Sequence, residues 1–215
     1  MDLPVLYSFR RCPYAMRARL ALAVSGQTVE LREVVLRDKP LQMIEASPKA
    51  TVPVLVEPDG RILEQSFDIM LWSLERSDPE GWLVPWKREH EEVRSLIEES
   101  DGPFKHHLDR YKYANRYEGA DPKAHREQGA AFLAKLDKQL EKTGWLFGQS
   151  RTLADMAILP FVRQFAFTDK AWFDQTPLPA VHKWLESFLA SDLFTAVMRK
   201  YKPWTEGAER IQFPG

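Results

Sequence analysis

The sequence holds one cysteine among 215 residues, and that scarcity excludes any internal disulfide. A lone thiol fits a reducing compartment. An excess of charge of either sign is also missing: 30 lysines and arginines face 31 aspartates and glutamates, for a net charge of −1. Nucleic-acid binding normally needs a strongly basic patch or stripe, so no nucleic-acid partner is expected. No apolar run approaches the roughly 18 residues of a membrane span, and no membrane partner is expected either. The N-terminus, Met1-Asp2-Leu3-Pro4, lacks the basic head and apolar stretch of a secretory signal. Together these absences predict a soluble, cytoplasmic protein. The histidines, His90, His106, His107, His125 and His182, do not read as a ligand set. His106 and His107 are adjacent and expected on different helix faces, so no metal site is expected.

Apolar residues are plentiful, at 44% of the chain, and its length suits two small domains. The first third alternates element types. A strand near 3–9 leads to a helix near 13–25 that ends at Ser25-Gly26, and Val29–Leu36 alternates like a second strand. A short helix near 40–46 follows. Val52–Val56 and Arg61–Glu64 flank Pro58-Asp59-Gly60, a hairpin signal. Ser66 then opens a helix that turns Ile69, Met70, Trp72 and Leu74 inward. The order β-α-β-α-β-β-α predicts an α/β domain over residues 1–78.

Beyond it the pattern changes. Residues 79–86, with Leu83-Val84-Pro85-Trp86, read as a linker, and residues 87–215 as an all-helical domain with an irregular tail. A helix or broken pair surrounds Asp101-Gly102-Pro103. Ala130, Leu133, Leu136 and Leu140 share a face of the next helix. Thr152-Leu153-Ala154-Asp155 reads as a capping box, a folding device rather than a catalytic pair, and Pro160 is expected to kink the helix that follows.

Cys12 lies in Arg10-Arg11-Cys12-Pro13-Tyr14-Ala15-Met16-Arg17-Ala18-Arg19, between the first strand and the first helix. Proline after it suits the first helical position, which places Cys12 against unpaired N–H groups at the positive end of the helix dipole. Four arginines flank it, and no acid occurs from Leu3 to Val29. These features favour the thiolate, which is the nucleophile. The bland alternative is a buried structural cysteine. Pro53 interrupts an apparent strand, either because that strand is an edge or because a cis bond there exposes backbone groups to a peptide-like ligand. Ser66 is either a helix cap or part of an anion site at a helix N-terminus. Lys39 reads as a surface lysine unless it reaches a ligand.

Cys12-Pro13-Tyr14-Ala15 resembles a glutaredoxin active site whose second cysteine is alanine. Thr51-Val52-Pro53-Val54-Leu55 resembles the cis-proline strand of thioredoxin-like domains. Gln65-Ser66 resembles the pair with which glutathione transferases hold the γ-glutamyl end of glutathione, and Thr152–Asp155 with Pro160-Phe161 resembles their C-terminal helical motif. In order and spacing, nearly the whole chain is similar to the glutathione S-transferase superfamily, most of all its cysteine-type branch, the omega class and related bacterial proteins.

That resemblance implies a thioredoxin-like domain followed by an all-helical one, usually in a homodimer, with glutathione as co-substrate. Cys12 would meet the glutathione sulfur. The Val52 backbone beside cis-Pro53 would pair with the tripeptide, and Lys39 would reach the glycyl carboxylate. Gln65 and Ser66 would bind the γ-glutamyl carboxylate, with Tyr14 at the site. Gln65 stands where omega proteins typically carry glutamate. Most aromatics of the helical half are core, while Phe104, Tyr111 and Trp172 are candidates for a pocket that takes a small hydrophobic or disulfide substrate.

The expected activity is glutathione-dependent thiol transfer of the dehydroascorbate-reductase kind, in which Cys12 forms a mixed disulfide. No second cysteine is available, so an external thiol must resolve it. The alternatives are conjugation of glutathione to electrophiles, with Tyr7, Ser8 or Tyr14 as hydroxyl donor, and a non-catalytic interaction protein on the same fold. An isomerase of the maleylacetoacetate kind is disfavoured, since the serine-rich motif of that branch is missing before Cys12.

Overall fold

A computed structural model describes residues 2–215. It divides into two compact units, one formed by residues up to Glu80 together with Ser191–Gly215, the other by Gly81–Ala190. The first unit begins with β1 Val5–Ser8, α1 Pro13–Ser25, β2 Val29–Glu33, α2 Leu41–Ala46, β3 Val54–Val56, β4 Ile62–Leu63 and α3 Ser66–Arg76. The second holds α4 Leu83–Arg88, α5 His90–Glu99, α6 Lys105–Lys112, α7 Pro122–Thr143, α8 Leu153–Ala166, α9 Lys170–Phe173 and α10 Pro179–Leu189. The chain then returns to the first unit with α11 Asp192–Val197 and β5 Gln212–Phe213.

The sheet order is β4-β3-β1-β2-β5. β1 and β2 run parallel, joined through α1, and the other neighbours are antiparallel. Gly60, at φ +89°, takes the left-handed position in the β3–β4 turn. Gly26, at φ +68°, ends α1 in the same conformation. Met16, Ala18, Leu20, Ala21 and Leu22 are all fully buried, so α1 is apolar on every side, as a central helix must be. It packs on α3 and α11.

At Pro53 the cis alternative is the one found, and for the tail the expectation changes. Pro53 lies just before β3, which is an interior strand and not an edge; the Val52–Pro53 bond is cis. The tail is not irregular throughout, because Gln212-Phe213 pairs with Glu30 and Val29 and buries Phe213. An isolated two-residue strand carries little local signal, and its partner lies some 180 positions earlier.

In the helical unit, the segment read as linker forms α4, whose Leu83 and Pro85 are buried. α5 continues into α6 through a wider π turn over Ser100–Phe104, which accommodates Pro103 without a break. α7 starts at Asp121, whose carboxylate accepts from the Lys123 and Ala124 N–H groups. Its buried face includes Gly129, Leu133, Leu136 and Leu140, with Ala130 only half-buried. At Gly129 an added Cβ would stand 2.4 Å from Cε2 of Phe165, so glycine is what lets α7 approach the α8 ring.

Asp155 is the polar centre of this unit. It is fully buried and accepts from the Thr152 N–H at 2.9 Å, the Thr152 hydroxyl at 2.6 Å, the Leu146 N–H at 3.0 Å and the Trp184 indole at 2.9 Å. Burial raises its pKa to about 6 against these hydrogen bonds, which favour the charged form. α8 runs on through Pro160. Asp137 of α7 likewise accepts from the Val181 N–H, at 2.8 Å, in the first turn of α10. No helix among the described residues is long and apolar enough to cross a membrane.

Candidate functional site

Cys12 occupies the N-cap of α1 with extended backbone angles (φ −71°, ψ 123°), and Pro13 is the first helical residue. Its N–H donates to the Phe9 carbonyl at 3.0 Å, which closes the β1–α1 turn. The half-buried Sγ donates to the Val52 carbonyl at 3.7 Å. Thiol, cis-Pro53 and the start of β3 therefore meet, although some 40 residues of sequence separate them.

Ser66 is also correctly located at the start of α3 but not in the way a cap would be. Gln65, exposed, is the N-cap residue, and Ser66 is the first helical residue. The Ser66 hydroxyl is buried and accepts from Nε of Arg17 at 2.8 Å. Arg17 is itself buried, with its guanidinium 5.2 Å from the Tyr14 ring centre and 6.0 Å from that of Phe67. One side chain on α1 thus ties the cysteine helix to the N-terminus of α3. The sequence signal for Arg17 was present: a cation inside an otherwise apolar helix needs a buried partner. Lys39 is half-buried between the Val35–Asp38 bridge and α2.

The arginine cluster is less positive than its sequence suggests. Register pairs Ser8 with Glu33, and the Glu33 carboxylate accepts from the Arg10 N–H at 2.8 Å. Burial raises the Glu33 pKa, opposed by that hydrogen bond and by Arg19 and Arg10. Arg19 is buried, with its pKa lowered by desolvation to about 10. It donates to the Ser8 hydroxyl, to the Arg10 carbonyl at 2.7 Å and to the Val197 carbonyl at 3.1 Å. Arg19 therefore holds the turn that presents Cys12.

Two of the three hydroxyl donors considered for conjugation are engaged elsewhere. Tyr7 is buried and its hydroxyl accepts from Arg32 at 2.8 Å, while Ser8 is fully buried on Arg19. Of the pocket candidates, Phe104 is core: it is buried against Phe132 and Phe165, with ring centres 4.7 and 5.6 Å away. Its position inside the π turn directs it inward. Tyr111 and the half-buried Trp172 flank the same Phe165 ring, at 5.2 and 6.1 Å.

The reading that separated the histidines is overturned. His106 and His107 of α6 and His125 of α7 each place a ring nitrogen within 4.8 Å of the others. Adjacent helical positions differ by about 100°, not 180°, so two long side chains can straddle one neighbouring helix. Partial burial, with the neighbouring histidines and Arg110, lowers the pKa of His107 and His125.

Residues 6–81 match the family model of the glutathione S-transferase N-terminal domain, and residues 105–187 that of the C-terminal domain. A probable maleylacetoacetate isomerase of Caenorhabditis elegans is 29% identical over 211 residues, covering 94% of this chain and 96% of the relative. Glutathione S-transferase omega-1 of Sus scrofa is 27% identical over 175 residues, 80% of this chain and 71% of that protein. Among solved structures, a glutathione S-transferase from Methylobacillus flagellatus KT with glutathione bound superposes with a TM-score of 0.77 at 22% identity, covering 90% of this chain and 98% of that one. Two domain models in their proper order, on a five-stranded mixed sheet followed by a helical unit, place this chain in the glutathione S-transferase superfamily.

Proposed function

We propose that this protein is a glutathione-dependent thiol transferase whose nucleophile is Cys12. The observation that carries the reading is a thiol at a helix N-cap, 3.7 Å from the carbonyl beside cis-Pro53, in a chain with no second cysteine. The Cys12 thiolate attacks the glutathionyl sulfur of a mixed disulfide, the substrate thiolate leaves, and a protein–glutathione disulfide forms. A second glutathione, as thiolate, attacks that glutathionyl sulfur and releases oxidised glutathione and the Cys12 thiolate.

The remaining residues act on the tripeptide. The Val52 backbone pairs with its main chain, and Lys39 reaches the glycyl carboxylate. Ser66, oriented by Arg17, takes the γ-glutamyl carboxylate together with Gln65 at the N-terminus of α3, where helix N–H groups favour an anion. Tyr14 lies against Arg17 at the edge of this region. Tyr111 and Trp172, but not the core residue Phe104, remain candidates for the second substrate.

Mass spectrometry with oxidised glutathione should show one glutathionyl adduct per chain and none after Cys12→Ser. On one preparation, kcat/KM for a glutathione mixed disulfide should exceed that for a chlorinated nitrobenzene. Faster aryl conjugation would replace this reading with a hydroxyl-type transferase, Tyr14 being the first residue to test.

The likeness to a probable maleylacetoacetate isomerase favours a second reading, glutathione-dependent cis–trans isomerisation. It requires reversible addition of the glutathione sulfur to a carbon–carbon double bond, without net consumption of thiol. Turnover of a cis-enedione acid without loss of glutathione, and surviving Cys12→Ser, would favour it over thiol transfer.

A further inference from the structure

The three-histidine cluster lies in the helical unit and is separate from the residues assigned to glutathione. We propose that His106, His107 and His125 form a surface site for one divalent transition-metal ion, with zinc the ion best suited to the donors.

Three imidazole nitrogens from two helices converge, all within 4.8 Å, and Nδ1 of His107 stands 2.8 Å from Nδ1 of His125. Zinc binds imidazole nitrogen at about 2.0–2.1 Å, so three nitrogens of a tetrahedral site lie roughly 3.3 Å apart. The His107–His125 pair needs to open by about 0.5 Å, and the widest pair needs to close by at most about 1.5 Å. That movement falls to His106, which is exposed and able to turn about its side-chain torsions. The backbone beneath is fixed. α6 packs on α7, and the His125 N–H donates to the Asp121 carbonyl at 3.1 Å in the capped first turn of α7. Three protein donors leave a fourth position for water or another ligand.

One neighbour opposes the ion. Arg110, one turn along α6, donates to Nδ1 of His106 at 3.0 Å. The same guanidinium lies 4.3 Å from the Tyr117 ring centre, a place it keeps when His106 turns to the metal. Asp121, the acid that acts on His125, partly offsets this positive charge. Removing Arg110 should therefore tighten binding, a sign opposite to that of removing a ligand.

The test titrates Zn²⁺ by calorimetry into untagged full-length protein carrying Cys12→Ser, so that the thiol cannot bind the ion. One ion per chain is expected. His107→Gln and His125→Gln should each weaken binding by about tenfold or more, while Arg110→Gln should hold or tighten it. Each variant must melt, without metal, at the temperature of its parent. His106→Gln serves as a third ligand variant if one of the others fails that control. No saturable binding in the parent, or binding that all the histidine variants retain unchanged, would overturn the site.

Discussion

The buried charges carried by helices differ between the two units. In the first they are arginines, Arg17 and Arg19, which donate to the Ser66 and Ser8 hydroxyls and to the Arg10 and Val197 carbonyls. In the helical unit they are aspartates, Asp137 and Asp155, which accept from backbone N–H groups and an indole. Both devices satisfy polar groups that burial would otherwise leave unpaired. The acids do so where helices begin, and their partners are the fold itself. The arginines do so around the cysteine turn and the start of α3, where the fold also has to present surfaces to a ligand. Charge in the helical unit should therefore matter to stability first, and charge around Cys12 to binding and chemistry first.

The strongest test of that division is Cys12→Ser. Thiol-transferase activity should fall to the rate without enzyme, while the melting temperature moves little, since serine nearly keeps the side chain's shape and the Sγ contact to the Val52 carbonyl is long, at 3.7 Å. A change in stability of more than about 0.5 kcal/mol would put Cys12 on the structural side of the comparison. Asp155→Ala should do the reverse. It strips the acceptor from four donors inside the unit and should destabilise by about 3–5 kcal/mol in chemical unfolding. The fraction that stays folded should keep its kcat/KM. Loss of kcat/KM in that fraction would contradict a purely structural role.

Ser66→Ala tests a position that faces both ways. The lost hydrogen bond to a carboxylate weakens glutathione binding by roughly 1.5–3 kcal/mol, or about tenfold to a hundredfold. The change also leaves Nε of Arg17 without its 2.8 Å acceptor, so unfolding should be measured beside calorimetric affinity. A loss of stability at unchanged affinity would confine Ser66 to supporting Arg17. Smaller again is Gly129→Ala, where the new methyl meets the Phe165 ring at 2.4 Å. Overpacking of about 1–3 kcal/mol outweighs the roughly 1 kcal/mol that alanine gains over glycine in a helix. Net stabilisation would mean that the ring moves aside freely.

What the sequence made legible was local. The Thr152–Asp155 box, the Gly26 helix end, the Pro58-Asp59-Gly60 hairpin and the cysteine turn each depend on a few adjacent residues whose conformational preferences agree. What it hid depends on register and on distant partners. Glu33 reaches Arg10 only because β2 lies parallel to β1, and no local pattern says so. Ser66 has the composition of a cap but receives Arg17 from another helix. Phe104 turns into the core because the chain widens into a π turn around Pro103. The histidines meet because α7 returns alongside α6, which a pattern confined to one helix does not reveal.

Asp155 also allows a finer test, by pH, of which force governs the buried acids. Its pKa in the folded protein is raised to about 6, burial outweighing four donors. A carboxyl raised above its unfolded value binds its proton more tightly in the folded state. Its contribution is therefore fully present below about pH 4 and falls as pH rises to about 6, beyond which it is constant. Asp155→Asn removes the titration at nearly equal volume. The stability of the native chain minus that of the variant should decline between pH 4 and 6.5, by about 2 kcal/mol, and then level off. Urea unfolding of both proteins at matched pH values reads this difference directly, since acid effects elsewhere cancel. A difference that grows with pH would show the donors prevailing over desolvation, making the ionised carboxylate the form that the helical unit is built around.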